Sequence, residues 1–218
     1  MSIRQQFDDA ELARIRDAAR DAEQRTSGEI VAYLVGRVDD HEEAAWKATA
    51  VGALGAAASG GLIHWLGGFW GVPAVLWMTL PAFAGGAAGY LVARMFAGLE
   101  RLLIDDDTLE RRVRLRAEAA FLDEELFNTR DRSGILIFLA LFEHRAGILG
   151  DTGIHEKVGE GAWHDLVREL TAGIRAGRTT EALVAVIERC GELLAEHGME
   201  RRSDDRDELA NEPRLRDR

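Results

Sequence analysis

Three short turns hold most of the residues that could do chemistry: "RTSGE" at 25–29, "RDRSG" at 130–134 and "GDTG" at 150–153. They supply Glu29, Asp131 and Asp151, with Ser27, Ser133 and Thr152 beside them. Carboxylates, hydroxyls and glycine-freed carbonyls are the oxygen ligands that a hard divalent cation such as calcium or magnesium prefers. The same residues are ordinary turn formers, because Asp and Ser bond their own backbone and Gly turns tightly. Arg25, Arg130 and Arg132 can also neutralise the acids. Both readings stand on pattern alone. No loop carries the glycines and Lys-Ser/Thr of a nucleotide site, and there is no nucleophile elbow. "LLIDDDTLE" at 102–110 has two aspartates spaced by one, as in aspartyl phosphatases, but Leu109 stands where Thr or Val is expected. Helix capping accounts for it better. Glu143 and His144 read as a solvated turn, and His155, Glu156 and His164 lack the two-His zinc-protease spacing. Catalytic residues therefore stay unassigned, and no organic cofactor is indicated. Cys190, the single cysteine, excludes an internal disulfide and a Cys-based zinc site and reads as a small core residue.

The turns form a site only if the fold brings them together. Residues 8–25 show an apolar stripe of Leu12, Ile15, Ala19 and Ala22, with Asp8 and Glu11 at capping-box spacing and Gly28 suited to a left-handed helix end. "EIVAYLVGRV" at 29–38 is a continuous β-branched and aromatic run, as in a strand buried on both faces. A second long helix spans about 102–127, with Leu109, Val113, Ala117, Ala120 and Phe121 inward and Asp107 and Glu110 as its capping box. "SGILIFLAL" and "AGILGD" are two further strands joined by the tight "FEHR". Helices over about 154–174 and 180–197 follow. Strand two, reached through a helical crossover, runs parallel to strand one. Strand three, after a tight turn, runs antiparallel. The starts of strands one and two and the end of strand three then share one edge, expected to be membrane-distal, and the three turns meet there.

Residues 46–66 hold only Lys47 as a charge and residues 72–93 hold none. Each run of about 20 residues matches a bilayer core of about 30 Å. The short "GGFWG" makes them a hairpin of about 46–66 and 72–96 with both chain ends on one side. Lys47, Arg94 and Arg101 flank that side, so positive-inside bias predicts a cytoplasmic-membrane protein with its soluble part cytoplasmic. Trp65, Trp70 and Trp77 gather near the opposite interface. Ala56, Gly60, Gly85 and Gly89 have the spacing for close helix contact, within the hairpin or in an oligomer. The bilayer is thus the expected partner. A formal net charge of -11 argues against nucleic acid. Residues 1–45 and 98–200 should form one discontinuous α/β domain, residues 46–97 its anchor, and the charged 201–218 a disordered tail.

"RTSGEIVAYLV", "RSGILIFLALFEHRAGILGDTGI" and "VGEGAWHDLV" together resemble the TPM domain family, in the subgroup with a membrane hairpin after the first strand. The resemblance covers about two thirds of the chain. It implies a three-layer α/β sandwich with a small mixed sheet, interrupted by a transmembrane helical hairpin. It also implies a divalent-cation site, of calcium or magnesium, at Glu29, Asp131, Asp151 and, in the following helix, Asp165. Two functions follow from it. The first is a membrane-anchored binding or scaffold domain that supports assembly or maintenance of a membrane complex with an unknown membrane-protein partner. The alternative is a metal-dependent phosphatase (phosphomonoesterase) acting at the distal edge. The missing nucleophile and base favour the first.

Overall fold

The computed structural model describes residues 2–67, 73–155, 157–201 and 208–218. The elements in chain order are α1 (Asp9–Glu23), β1 (Glu29–Val35), α2 (Glu42–Gly67), α3 (Ala74–Met95), α4 (Ala97–Leu102), α5 (Asp106–Asp123), β2 (Gly134–Ala140), β3 (Arg145–Gly150), α6 (Thr152–His155), α7 (Glu160–Arg175), α8 (Thr179–Glu196) and β4 (Arg214–Arg216). The chain divides into two compact units, Met1–Asp39 with Glu110–Arg218, and Asp40–Leu109.

The first unit is mixed α/β, built on a four-stranded mixed sheet of order β3-β2-β1-β4. β1 and β2 are parallel with Glu29 opposite Gly134, while β2 and β3 are antiparallel, as the crossover and the tight turn require. Every residue of β1 and β2 is buried. Strand alternation sends Ile30, Ala32, Leu34, Ile135, Ile137 and Leu139 to one face, where they pack with apolar residues of α1, α7 and α8. Val31, Tyr33, Val35, Leu136, Phe138 and Ala140 face Val113, Ala117 and Ala120 of α5. Tyr33 and Phe138 stack at 5.6 Å between ring centroids, and Arg116 donates to the Tyr33 hydroxyl at 3.1 Å. Each large buried side chain contributes roughly 1.5–3 kcal/mol of transfer free energy, so these two strands dominate the core. α1 has the expected capping box, with Asp8 and Glu11 each accepting the other's backbone amide. Cys190 is a fully buried core residue, and burial pushes its thiol up to about 12.

Four local expectations give way. Gly28 has no left-handed backbone. It is needed for space, since a Cβ there would collide with Leu194 Cδ1. Asp107 is not the N-cap, because it lies inside α5, which begins at Asp106. The helix expected over 154–174 is broken: α6 ends at His155, and α7 starts after Gly159, whose extended backbone forms its N-cap. Gly159 and Gly161 are poor helix formers, which favours a restart there.

The fourth concerns the charged tail. Residues 202–207 lie outside the described residues, but 208–218 are ordered against the sheet. β4 pairs parallel with β1, Tyr33 opposite Arg214 and Val35 opposite Arg216. Arg214 Nε lies 2.7 Å from Glu124 Oε2, and Arg216 Nη2 lies 3.5 Å from Glu124 Oε1. Asp217 accepts from the Ile3 amide at 2.7 Å and the Ser2 hydroxyl at 3.4 Å. Specific pairing of charges and backbone thus compensates for the low apolar content of the segment.

In the second unit α2 and α3 lie antiparallel. A Cβ at Gly52 would meet the Gly85 carbonyl, one at Gly60 the Trp77 carbonyl, and one at Gly89 the Ala48 carbonyl. The small residues therefore serve contact within the hairpin. Both helices are long and apolar enough to cross a membrane. The expected connection with Trp70 lies outside the described residues.

Leu34→Asp would place a carboxylate where exposure is 0%. It is expected to cost more than about 3 kcal/mol, read as a lower urea midpoint or loss of cooperative unfolding. A second expectation concerns acid. The Ile3 amide, then the Ser2 hydroxyl, hold the Asp217 carboxyl below its ordinary value of 3.8. A lowered folded pKa contributes stability that is present above that value and is lost as pH falls through the folded pKa. Asp217→Asn should therefore lower stability at neutral pH and flatten its fall below about pH 4, measured by thermal melts across pH.

Candidate functional site

The three turns do meet. The Glu29 amide donates to the Ser133 carbonyl at 3.1 Å, the Asp151 amide to Gly134 at 2.9 Å and the Gly153 amide to Arg132 at 3.1 Å. Ser133 Oγ donates to the Ser27 carbonyl at 2.7 Å. The approach is close because Gly153 has no side chain: a Cβ there would sit 2.8 Å from the Arg132 carbonyl oxygen. Thr26 Oγ1 accepts the Gly28 amide and Thr129 Oγ1 the Ser133 amide, which satisfies two buried donors within the turns themselves.

The acids do different work from one another. Glu29 is buried, and its two oxygens accept the backbone amides of Glu208 and Leu209 at 3.1 and 3.3 Å. Asp151 is buried too. Its Oδ1 accepts the Thr152 amide at 2.7 Å, and its Oδ2 lies 3.6 Å from Arg132 Nη1 without a hydrogen bond. Asp131 is half-buried between Arg130 and Arg132. Asp165 is exposed on α7 and pairs with Arg168, one helical turn on, at 2.5 Å. Among the described residues no three His, Cys, Asp or Glu side chains group so as to hold a metal ion. Asp165 lies on α7, outside the turns that carry Glu29, Asp131 and Asp151.

Glu23 is the carboxylate that sequence reading left out. It is buried at the end of α1, accepts the Ile30 amide at 2.9 Å and is hydrogen-bonded by Asn211. With Glu29 it grips residues 208–211 from two sides, and the Arg130 amide donates to Glu208 at 2.9 Å. The signal in the sequence was slight: a glutamate at the last position of an amphipathic helix, where a cation suits the helix dipole better. Chemically the cluster is a clasp. Its carboxylates accept backbone amides and the Asn211 side chain, and its hydroxyls satisfy the turns.

No protein-family model matches this chain. No curated protein matches it. Among solved structures it is similar to the NMR structure of BA42 protein from the psychrophilic bacterium Bizionia argentinensis, at 22% identity and a TM-score of 0.58, over 95% of this chain and 94% of that one. At that identity the likeness speaks for the fold alone.

The clasp sets an order among substitutions. Glu29→Ala strands two amides and should cost about 1–3 kcal/mol. Asp151→Asn keeps an acceptor for Thr152 and loses the Arg132 pair, at about 1 kcal/mol. Asp165→Asn loses an exposed pair and should cost less than about 0.5 kcal/mol. Urea midpoints measured on the three variants check the ranking.

Proposed function

We propose that this chain is a membrane-anchored TPM-like binding or scaffold module: a three-layer α/β sandwich at the cytoplasmic face of the membrane, held by the α2–α3 hairpin and supporting the assembly or maintenance of a membrane complex. The observation that carries the reading is the apolar surface of α2 and α3. Trp65 and Phe83 are each 79% exposed and Leu54 is 72% exposed. At about 25 cal/mol per Å² a contiguous surface of this kind favours lipid strongly over water. Lys47, Arg94 and Arg101 near the helix ends support the cytoplasmic orientation. Gly52, Gly60, Gly85 and Gly89 are spent on the hairpin, so an oligomer or membrane partner would engage the remaining small face, where Gly55 meets nothing within 4 Å.

The engagement of Glu29 and Asp151 in structural bonds favours binding over hydrolysis. The alternative is a metal-dependent phosphomonoesterase acting at this edge of the sheet. Full-length protein in lipid nanodiscs should hydrolyse p-nitrophenyl phosphate no faster than protein-free controls, with calcium or magnesium added. Metal-stimulated hydrolysis lost in Asp151→Asn would establish the phosphatase instead. Orientation is checked with one added cysteine at a time, since Cys190 itself is fully buried from the label. A cysteine replacing Gly67 should label only from outside the cytoplasm, and one replacing Ser2 only from within.

A further inference from the structure

β4 covers the free side of β1, but β3 ends the sheet among the described residues. The pairing pattern fixes which backbone groups β3 turns outward. The Asp151 amide bonds Gly134, and the antiparallel register continues through Leu136↔Leu149, Phe138↔Gly147 and Ala140↔Arg145. Alternate pairs of an antiparallel ladder exchange both bonds, so Leu149, Gly147 and Arg145 face β2 and the amides and carbonyls of Ala146 and Ile148 face away from it. A groove of about 540 Å³ runs along that edge, with Val113 and Ala117 of α5 on one wall and Trp163 and Val167 of α7 on the other. α5 and α7 cover opposite faces of the sheet, so the groove occupies the place of one more strand. Residues 146–150 carry no charge, proline or bulge to blunt the edge, and Arg145 alone marks its start.

The rim has a sign. Arg114 and Arg145 line the groove, and an adjoining hollow that shares Arg145 adds Arg168 and Arg175. Among the described residues Glu110 is the one carboxylate in either lining. Arg114 reaches Glu118 at 3.8 Å and Arg168 reaches Asp165 at 2.5 Å, both exposed pairs of the kind a competing carboxylate displaces easily. This basic border stands out on a chain of net charge -11.

Resting on the binding-module reading, we infer that the β3 edge receives an extended acidic segment of a partner protein as a fifth strand. Main-chain bonds to Ala146 and Ile148 give affinity, and the arginine border selects acidic side chains. A second copy fits less well, because its own β3 is walled by the same two helices.

The probe is a dye-labelled alternating Glu–Val heptapeptide, titrated onto the full chain in nanodiscs. Saturable binding is expected, with a Lys–Val heptapeptide at least about tenfold weaker. Amide exchange at Ala146 and Ile148 should slow when the peptide is added. A Cβ at Gly147 meets nothing within 4 Å, so Gly147→Leu should fill the groove, keep the melting temperature and abolish binding. Arg114→Glu, at an exposed site, should weaken binding about tenfold. No saturable binding, equal binding of the Lys–Val peptide, unchanged exchange, or indifference to Gly147→Leu in a folded variant would each overturn the assignment. So would dimerisation that Gly147→Leu abolishes, which gives the edge to a second copy. None of these outcomes bears on phosphate-ester hydrolysis, and Asp151-dependent hydrolysis would remove the module reading while leaving the edge measurements to stand separately.

Discussion

Everything in the first unit depends on burying β1 and β2 from both sides at once. Seven consecutive residues of each strand are out of water, which a sheet achieves only when helices cover both faces. α5 supplies one cover and α1, α7 and α8 the other. The covers come from sequence on either side of the apolar hairpin, so the hairpin interrupts a domain whose parts need each other. Tyr33 illustrates the fit: its ring stacks on Phe138, and its hydroxyl accepts from Arg116 at the edge of that core.

Carboxylates, Glu23 and Glu29 buried among them, are used here to fasten chain segments. Glu23 and Glu29 hold the stretch after residue 207, Glu124 receives Arg214 and Arg216, and Asp217 ties the chain end to Ile3. Charge-assisted bonds of this kind are stronger than neutral ones and are costly to leave half made. The arrangement gives a short polar strand a defined position at the side of β1, something its own composition would not provide.

This explains what could and could not be read in advance. Two-faced strands, the parallel and antiparallel pairings and the meeting of the three turns were legible, because continuous apolar runs and connection lengths leave few topologies. β4 was not legible. "RLR" has almost no apolar signal, and its order comes from Glu124 and the free side of β1, both remote in sequence. Missing β4 also hid what Glu29 holds: its carboxylate accepts the backbone amides of residues 208 and 209. The groove beside β3 was equally hidden, since it is made by the absence of a neighbour and not by any motif.

The parallel pairing of β1 and β2 has a consequence for biosynthesis. Glu29 waits for Gly134, 105 residues later (134 minus 29), and Tyr33 waits for Arg214, 181 residues later (214 minus 33). At translation rates of about 5–20 residues per second the first delay is roughly 5–20 s. Through that interval "EIVAYLV" is a nascent segment with high β-propensity and no partner strand, and both apolar helices emerge before one arrives. Such segments aggregate when left exposed. The interval therefore leaves this segment exposed to wrong pairing while the chain is being made. β1 is the first strand of the sheet to be made, and its pairing with β4 waits until Arg214–Arg216 have left the tunnel.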